Sequence, residues 1–300
     1  MSESWKLSAY ASKPVIQAAL LVHEEIDDWD PEVVISGREI SEDRPDEWVL
    51  EAWYPSEPDA AQKLVISNLF GNVAPIFEVE KLPDEDWLTL SQQGVDPIRA
   101  GRFYVHTPNH PPVEDAINFA IPASQAFGTG QHETTAGCLA MLDTMKRTGL
   151  VARNIADIGT GTGLLAFAAI HLWKGAFATA SDIDDVCAGV VADNATLNKV
   201  TMGADRGELT MVIADGMEDE LLQARGPYDL LIANILAGPL VELAPDFAAS
   251  ITPGGSVLLA GLLETQEARV RSAYSRAGFR LAQRMVNGDW SILWLRKRRI

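Results

Sequence analysis

The stretch Asp157-Ile158-Gly159-Thr160-Gly161-Thr162-Gly163 joins the end of an apolar strand to the start of an apolar helix, Leu164-Leu165-Ala166-Phe167-Ala168-Ala169. Three alternating glycines remove every Cβ from a tight strand-to-helix turn, so a ligand can lie against bare backbone at a helix N-terminus. An anionic pyrophosphate needs only amide donors there. A carboxylate two residues ahead of the first glycine, Asp157, instead suits a ligand that carries positive charge. A second strand, Ala176 to Ser181, ends in Asp182, placed to bind two ribose hydroxyls. Asp215 ends a third strand at the carboxyl edge, where ligands of open α/β sheets bind, and can accept from an adenine amino group. A turn aspartate is the plainer account of Asp215, and both stay open.

The dinucleotide fingerprint places a glycine where this chain has Leu164, which disfavours a nicotinamide oxidoreductase. The spacing G-x-G-x-G with its preceding acid resembles the loop that holds S-adenosylmethionine in Rossmann-like methyltransferases. That ligand's methionyl end carries an ammonium and a sulfonium, which Asp157 can face while Gly159, Gly161 and Gly163 leave room for it. Asp182 serves either cofactor and does not discriminate. A packing turn in any α/β domain is the plainer alternative for the glycines alone.

The fourth strand ends in Ala233-Asn234-Ile235-Leu236, beside the switch point of such a sheet. An amide oxygen at Asn234, with the next backbone carbonyl, can accept an amine's hydrogens and aim its lone pair at a methyl donor. A lysine amine must lose a proton first, at a cost of about 4 kcal/mol at neutral pH, whereas an α-amine loses it almost freely. A carboxylate would hold that proton more firmly, so a neutral acceptor is the better choice. Asn234 is therefore the catalytic candidate, with a strand-end turn as its alternative. Phe127-Gly128-Thr129-Gly130-Gln131-His132-Glu133-Thr134-Thr135 reads as a flexible clamp before a helix from about Ala136 to Lys146, with Thr135 able to donate to the cofactor. His132 and Glu133 lack a third partner and read as loop structure. Cys138 and Cys187 have no metal-type or redox-type spacing, and no metal site is expected.

The elements that must position these residues fall into two groups. Residues 1–80 read as β-α-β-β-α-β, a small ferredoxin-like α+β domain suited to substrate recognition. Residues 81–118 form a proline-rich linker with one strand at Arg102 to His106. From 119 to 300 strands and helices alternate, and the tail forms a hairpin around Asn287-Gly288-Asp289. Five parallel strands closed by that hairpin predict a Rossmann-like, seven-stranded α/β sheet of the class I methyltransferase type.

Charge is unevenly spread. The chain carries a formal −18, and residues 1–80 hold 17 acids against 5 bases. Such a front end repels RNA and anionic lipid and attracts a basic protein, although a solubilising surface is the commoner use of acids. Neither a nucleic-acid substrate nor a membrane partner is expected. No apolar run approaches a membrane span and no signal peptide is evident, so a cytoplasmic monomer is the expectation.

The Phe127 to Thr135 loop, Asp157 to Gly163, Asp182-Ile183-Asp184 and Asn234-Ile235-Leu236-Ala237-Gly238-Pro239-Leu240 occur in this order. In that order they resemble the ribosomal protein L-eleven methyltransferase family. The resemblance implies an S-adenosylmethionine-dependent protein N-methyltransferase acting on the N-terminal α-amine and lysine ε-amines of large-subunit ribosomal protein eleven, free or on the ribosome. It implies Thr135, Gly159, Asp182 and Asn234 as cofactor contacts, with Asn234 also facing the amine. The chain departs from the family at Gln131 and Glu133, which stand where Thr and Pro are usual, so the loop is expected to be looser. Other readings are the same donor with another protein or a small amine as acceptor, or an inactive, cofactor-binding ribosome-assembly factor.

Overall fold

In the computed structural model, which describes residues 5–24, 26, 29–30, 33–40, 46–71, 75–81, 97–122 and 131–299, the chain divides into two units near residue 90. The first contains β1 (Trp5–Ser12), α1 (Lys13–Glu24), β2 (Val34–Glu39), β3 (Glu47–Tyr54), α2 (Ala60–Leu69) and β4 (Ile76–Lys81). Its sheet runs β2-β3-β1-β4 with every neighbouring pair antiparallel, the ferredoxin-like order. Alternation places Leu7 and Ala9 of β1 and Leu50, Ala52 and Tyr54 of β3 on the inner face. Ile16 and Ala19 of α1, three apart, and Ile66 and Leu69 of α2, also three apart, close over them. Helix α2 starts sharply because the Asp59 side chain accepts from the Gln62 amide at 2.8 Å while Gln62 answers the Asp59 amide at 3.0 Å.

The second unit opens with a small sheet, β5 (Ile98–Ala100), β6 (Phe103–His106) and β7 (Ile117–Ala120), in that order. Two of these strands, and the start of β7, fall where the sequence suggests a linker carrying one strand. Phe103, Val105 and Phe119 are buried in the core of the second unit, and Phe119 lies 6.4 Å from the Phe167 ring. There follow α3 (Gln131–Arg147), β8 (Asn154–Ile158), α4 (Leu164–Leu172), β9 (Phe177–Asp182), α5 (Val186–Leu197), β10 (Leu209–Ile213) and α6 (Glu220–Arg225). Then come β11 (Tyr228–Asn234), α7 (Ala237–Glu242), α8 (Ala244–Ser250), β12 (Ile251–Leu263), α9 (Glu267–Arg276), β13 (Phe279–Asn287) and β14 (Trp290–Lys297).

The large sheet runs β10-β9-β8-β11-β12-β14-β13. The first five are parallel, and β14 runs antiparallel between β12 and β13. This is the seven-stranded α/β sheet the sequence predicts. Both its faces are covered: along β11, Leu230 and Ile232 enter one core with Leu139 and Phe167, while Leu231 and Ala233 enter the other with Phe247 and Tyr274. The terminal hairpin inserts its second strand innermost. Ser291-Ile292-Leu293-Trp294-Leu295 is buried throughout, whereas β13 exposes most of its residues at the sheet edge.

Candidate functional site

Sheet order reverses between β8 and β11, since β9 lies on one side of β8 and β12 on the other side of β11. A reversal of this kind opens a crevice beyond the carboxyl ends of the strands, where the two adjacent connections part. The glycine loop after β8, Asp182 closing β9, Asp215 beyond β10 and Asn234 closing β11 all come to that edge.

The loop is held from three sides. The Thr160 amide donates to the Ser181 carbonyl at 2.9 Å, the Gly161 amide to Asp182 Oδ2 at 2.8 Å, and Asn194 Nδ2 to the Thr162 carbonyl at 3.0 Å. Gly159, Gly161 and Gly163 have φ of +68°, +56° and +83°, a region that costs any other residue strain. Their second role is steric. A Cβ on Gly159 would stand 2.2 Å from the Ile235 side chain, and one on Gly163 would stand 2.7 Å from the Phe167 ring. Gly261 in β12, at φ +83°, abuts the backbone of Ile235, whose carbonyl would lie 2.3 Å from an added Cβ. Ile235, the residue after Asn234, is thus clasped between Gly159 and Gly261. The motif reading above misses Gly261, although an isolated glycine inside a strand is a signal of close backbone approach.

Asp157 is buried, with Oδ2 accepting from the Thr160 hydroxyl at 2.7 Å and from the Ala166 amide at 3.0 Å. Burial pushes its carboxyl up to about 7; those two hydrogen bonds oppose the rise and the Asp182 charge adds to it. Asp182 is partly exposed and accepts from the Gly161 and Asp184 amides, the latter at 3.2 Å. It therefore fixes the loop from the end of β9. Asp215 is exposed two residues past the end of β10 and is followed by Gly216 at φ +52°. Asn234 is partly buried as the last residue of β11, and its side-chain amide has no hydrogen-bond partner among the described residues.

The clamp expected before Ala136 differs. Residues 123–130 lie outside the described residues, and helix α3 already begins at Gln131. Thr135 is consequently a buried helical residue, next to buried Thr134. Glu133 falls in the first turn of α3, where a negative charge suits the helix N-terminus. Burial, with the Asp157 charge adding to it, pushes the thiol of Cys138 up. Cys138 lies three residues after Thr135 and shares its side of α3. Both cysteines are free and buried, and no metal-binding cluster exists among the described residues.

A glycine turn at the end of β8, flanked by three acidic residues and one unengaged amide, suits a cationic ligand that also carries ribose and a base. The model for the family described as Ribosomal protein L11 methyltransferase (PrmA) matches residues 11–298. A ribosomal protein L11 methyltransferase of Agrobacterium fabrum is 37% identical over 270 residues, covering 89% of this chain and 90% of its own. One of Rhizobium meliloti is 44% identical over 225 residues, covering 73% and 74%. The crystal structure of ribosomal protein L11 methylase from Lactobacillus delbrueckii subsp. bulgaricus superimposes with a TM-score of 0.57 at 27% identity, covering 68% of this chain and all of that one.

Proposed function

The chain belongs to the ribosomal protein L11 methyltransferase family, and from that premise we infer that it transfers methyl groups from S-adenosylmethionine to amines of ribosomal protein L11. Bound in the crevice, S-adenosylmethionine supplies an electrophilic methyl group on a positively charged sulfur. The observation that carries the reading is Asn234, a neutral amide with no internal partner, at the switch point beside the glycine loop. Its oxygen accepts a hydrogen from the incoming amine and directs the nitrogen lone pair. Being neutral, it does this without raising the amine's pKa, as a carboxylate would. The transfer then needs little beyond alignment and exclusion of water.

The remaining groups hold the donor. Asp157 faces the ammonium, Asp182 the ribose hydroxyls and Asp215 the adenine amino group, while the backbone of Gly159, Gly161 and Gly163 forms the floor and Thr135 caps it from α3. The acceptors are the N-terminal α-amine and lysine ε-amines of L11. The first 80 residues form the domain that grips the substrate, a role supported by their acidity and by the lack of a catalytic cluster in their sequence. RNA is not the methyl acceptor. We place the enzyme in the cytoplasm as a monomer, where its ribosomal substrate is made and its free buried thiols stay reduced.

Incubating the purified chain with S-adenosylmethionine and unmodified recombinant L11, followed by intact and peptide mass spectrometry, tests the reaction and its acceptor together. Whole-methyl mass increments mapping to the N-terminus and lysines are expected. An unchanged mass, with donor binding shown separately, would remove the substrate assignment.

A further inference from the structure

The last 34 residues reverse the charge of the molecule. Residues 267–300 hold nine bases against two acids, a net +7, leaving −25 on the remainder. This segment comprises α9, which packs against α7, and the edge hairpin, whose strands β14 and β13 stand second and third from β11. Between α9 and the hairpin lies a cavity of about 410 Å³, lined in part by Arg271, Ser272, Tyr274, Ser275, Arg280 and Arg298. Arg271 is bonded to Glu267 at 3.0 Å, so one guanidinium is already oriented. Arg280 and Arg298 are exposed and have no acidic partner among the described residues. Tyr274 is fully buried, and its hydroxyl has no hydrogen-bond partner among the described residues. Such a buried donor is rare unless something outside the chain satisfies it.

We propose that this cavity is a phosphate-binding site through which the enzyme docks on an RNA strand. Guanidinium forks and hydroxyl donors around a small cavity match the oxygens of a phosphate group. A polymer fits better than a lone anion because the charge continues past the cavity. Arg269 and Arg276 stand seven apart on α9, on the helical face of Ser272 between them, and neither has an acidic partner among the described residues. On a molecule of net −18, only a local basic edge can hold a polyanion, and RNA bound there is a scaffold and not the methyl acceptor.

The test is binding of a short fluorescent single-stranded RNA to the full chain over a salt series, with inorganic phosphate as competitor. Binding at low salt is expected, weakened about tenfold or more in the Arg280→Ala/Arg298→Ala double variant. The slope of log affinity against log salt should fall by about 1.4 once two phosphates are no longer neutralised. Tyr274→Phe should weaken RNA binding several-fold, and methylation of free L11 should be unchanged in every variant. No RNA binding at low salt, or equal binding by the double variant, would overturn the proposal. Retention of inorganic phosphate by these residues without RNA binding would overturn it in favour of a small phosphorylated ligand.

Discussion

Asn234 and Asp157 are both polar groups at strand ends, yet their surroundings assign them different work. With its amide unengaged, Asn234 makes no side-chain hydrogen bond among the described residues that alanine would forfeit. Asn234→Ala should therefore lower kcat by about 10²–10³, the scale of one lost orienting hydrogen bond, with donor affinity kept within a few-fold. A donor affinity that falls as far as the rate would move Asn234 into donor binding alone. Asp157 is the opposite case, buried and held up to about 7. An acid whose folded pKa is raised binds a proton that the unfolded chain has already released. Stability therefore falls as pH rises from about 4 to about 7 and is level above that window. The advantage of Asp157→Asn over the wild type in chemical denaturation should grow across that same interval. Donor affinity should run the other way in the wild type, improving as pH rises towards 7 and the carboxylate forms, and the asparagine variant should lose that slope. The motif is legible at this scale because the residue types and their spacing are the chemistry. The carboxyl's burial is not, since it depends on Thr160, Ala166 and the neighbouring strands.

Glycines show the same division at the level of strands and turns. The loop glycines announce themselves by spacing, whereas Gly261 matters only because β12 runs beside the turn that follows β11. Gly261→Ala would drive a Cβ into the Ile235 carbonyl at a positive φ, where neither side can yield by rotating a side chain. A loss of roughly 2–4 kcal/mol in urea unfolding is expected, with a weaker donor site in what remains folded. Gly238 in α7 has nothing within 4 Å of an added Cβ, and Gly238→Ala should be neutral or slightly stabilising. Equal effects at both positions would show that Ile235 is not clasped between Gly159 and Gly261. Element types and order along the second unit can be read from apolar runs and breakers, and the hairpin from Asn287-Gly288-Asp289. Strand insertion cannot be read so directly, because placing β14 inside β13 follows from which strand is apolar on both faces. The sequence places the start of α3 too late for a related reason: Gln131 to Thr135 are compatible with both loop and helix, and packing of the helix decides.

Charge is where the chain as a whole departs most from any average over it. Residues 81–300 carry a net −6, a figure that hides the +7 of residues 267–300 and makes the sequence look free of a basic surface. The acidic front and the basic tail make opposite demands on partners, so two salt dependences should coexist in one protein and separate by mutation. Under the proposed function, a substrate with reactive amines would present positive charge to the acidic unit, which should steer encounter without touching the chemical step. The kcat/KM for L11 should then fall as ionic strength rises while kcat holds constant. Glu39 and Glu57 are exposed in the first unit, and neither side chain has a cationic partner among the described residues. Glu39→Gln/Glu57→Gln should flatten the salt dependence of kcat/KM and leave RNA binding alone. Arg280→Ala/Arg298→Ala should do the reverse. Because each pair changes the net charge by two units in opposite directions, a response governed by total charge would move both readouts together. Separate movement requires that each surface act within a Debye length, about 8 Å at physiological salt, of its own partner.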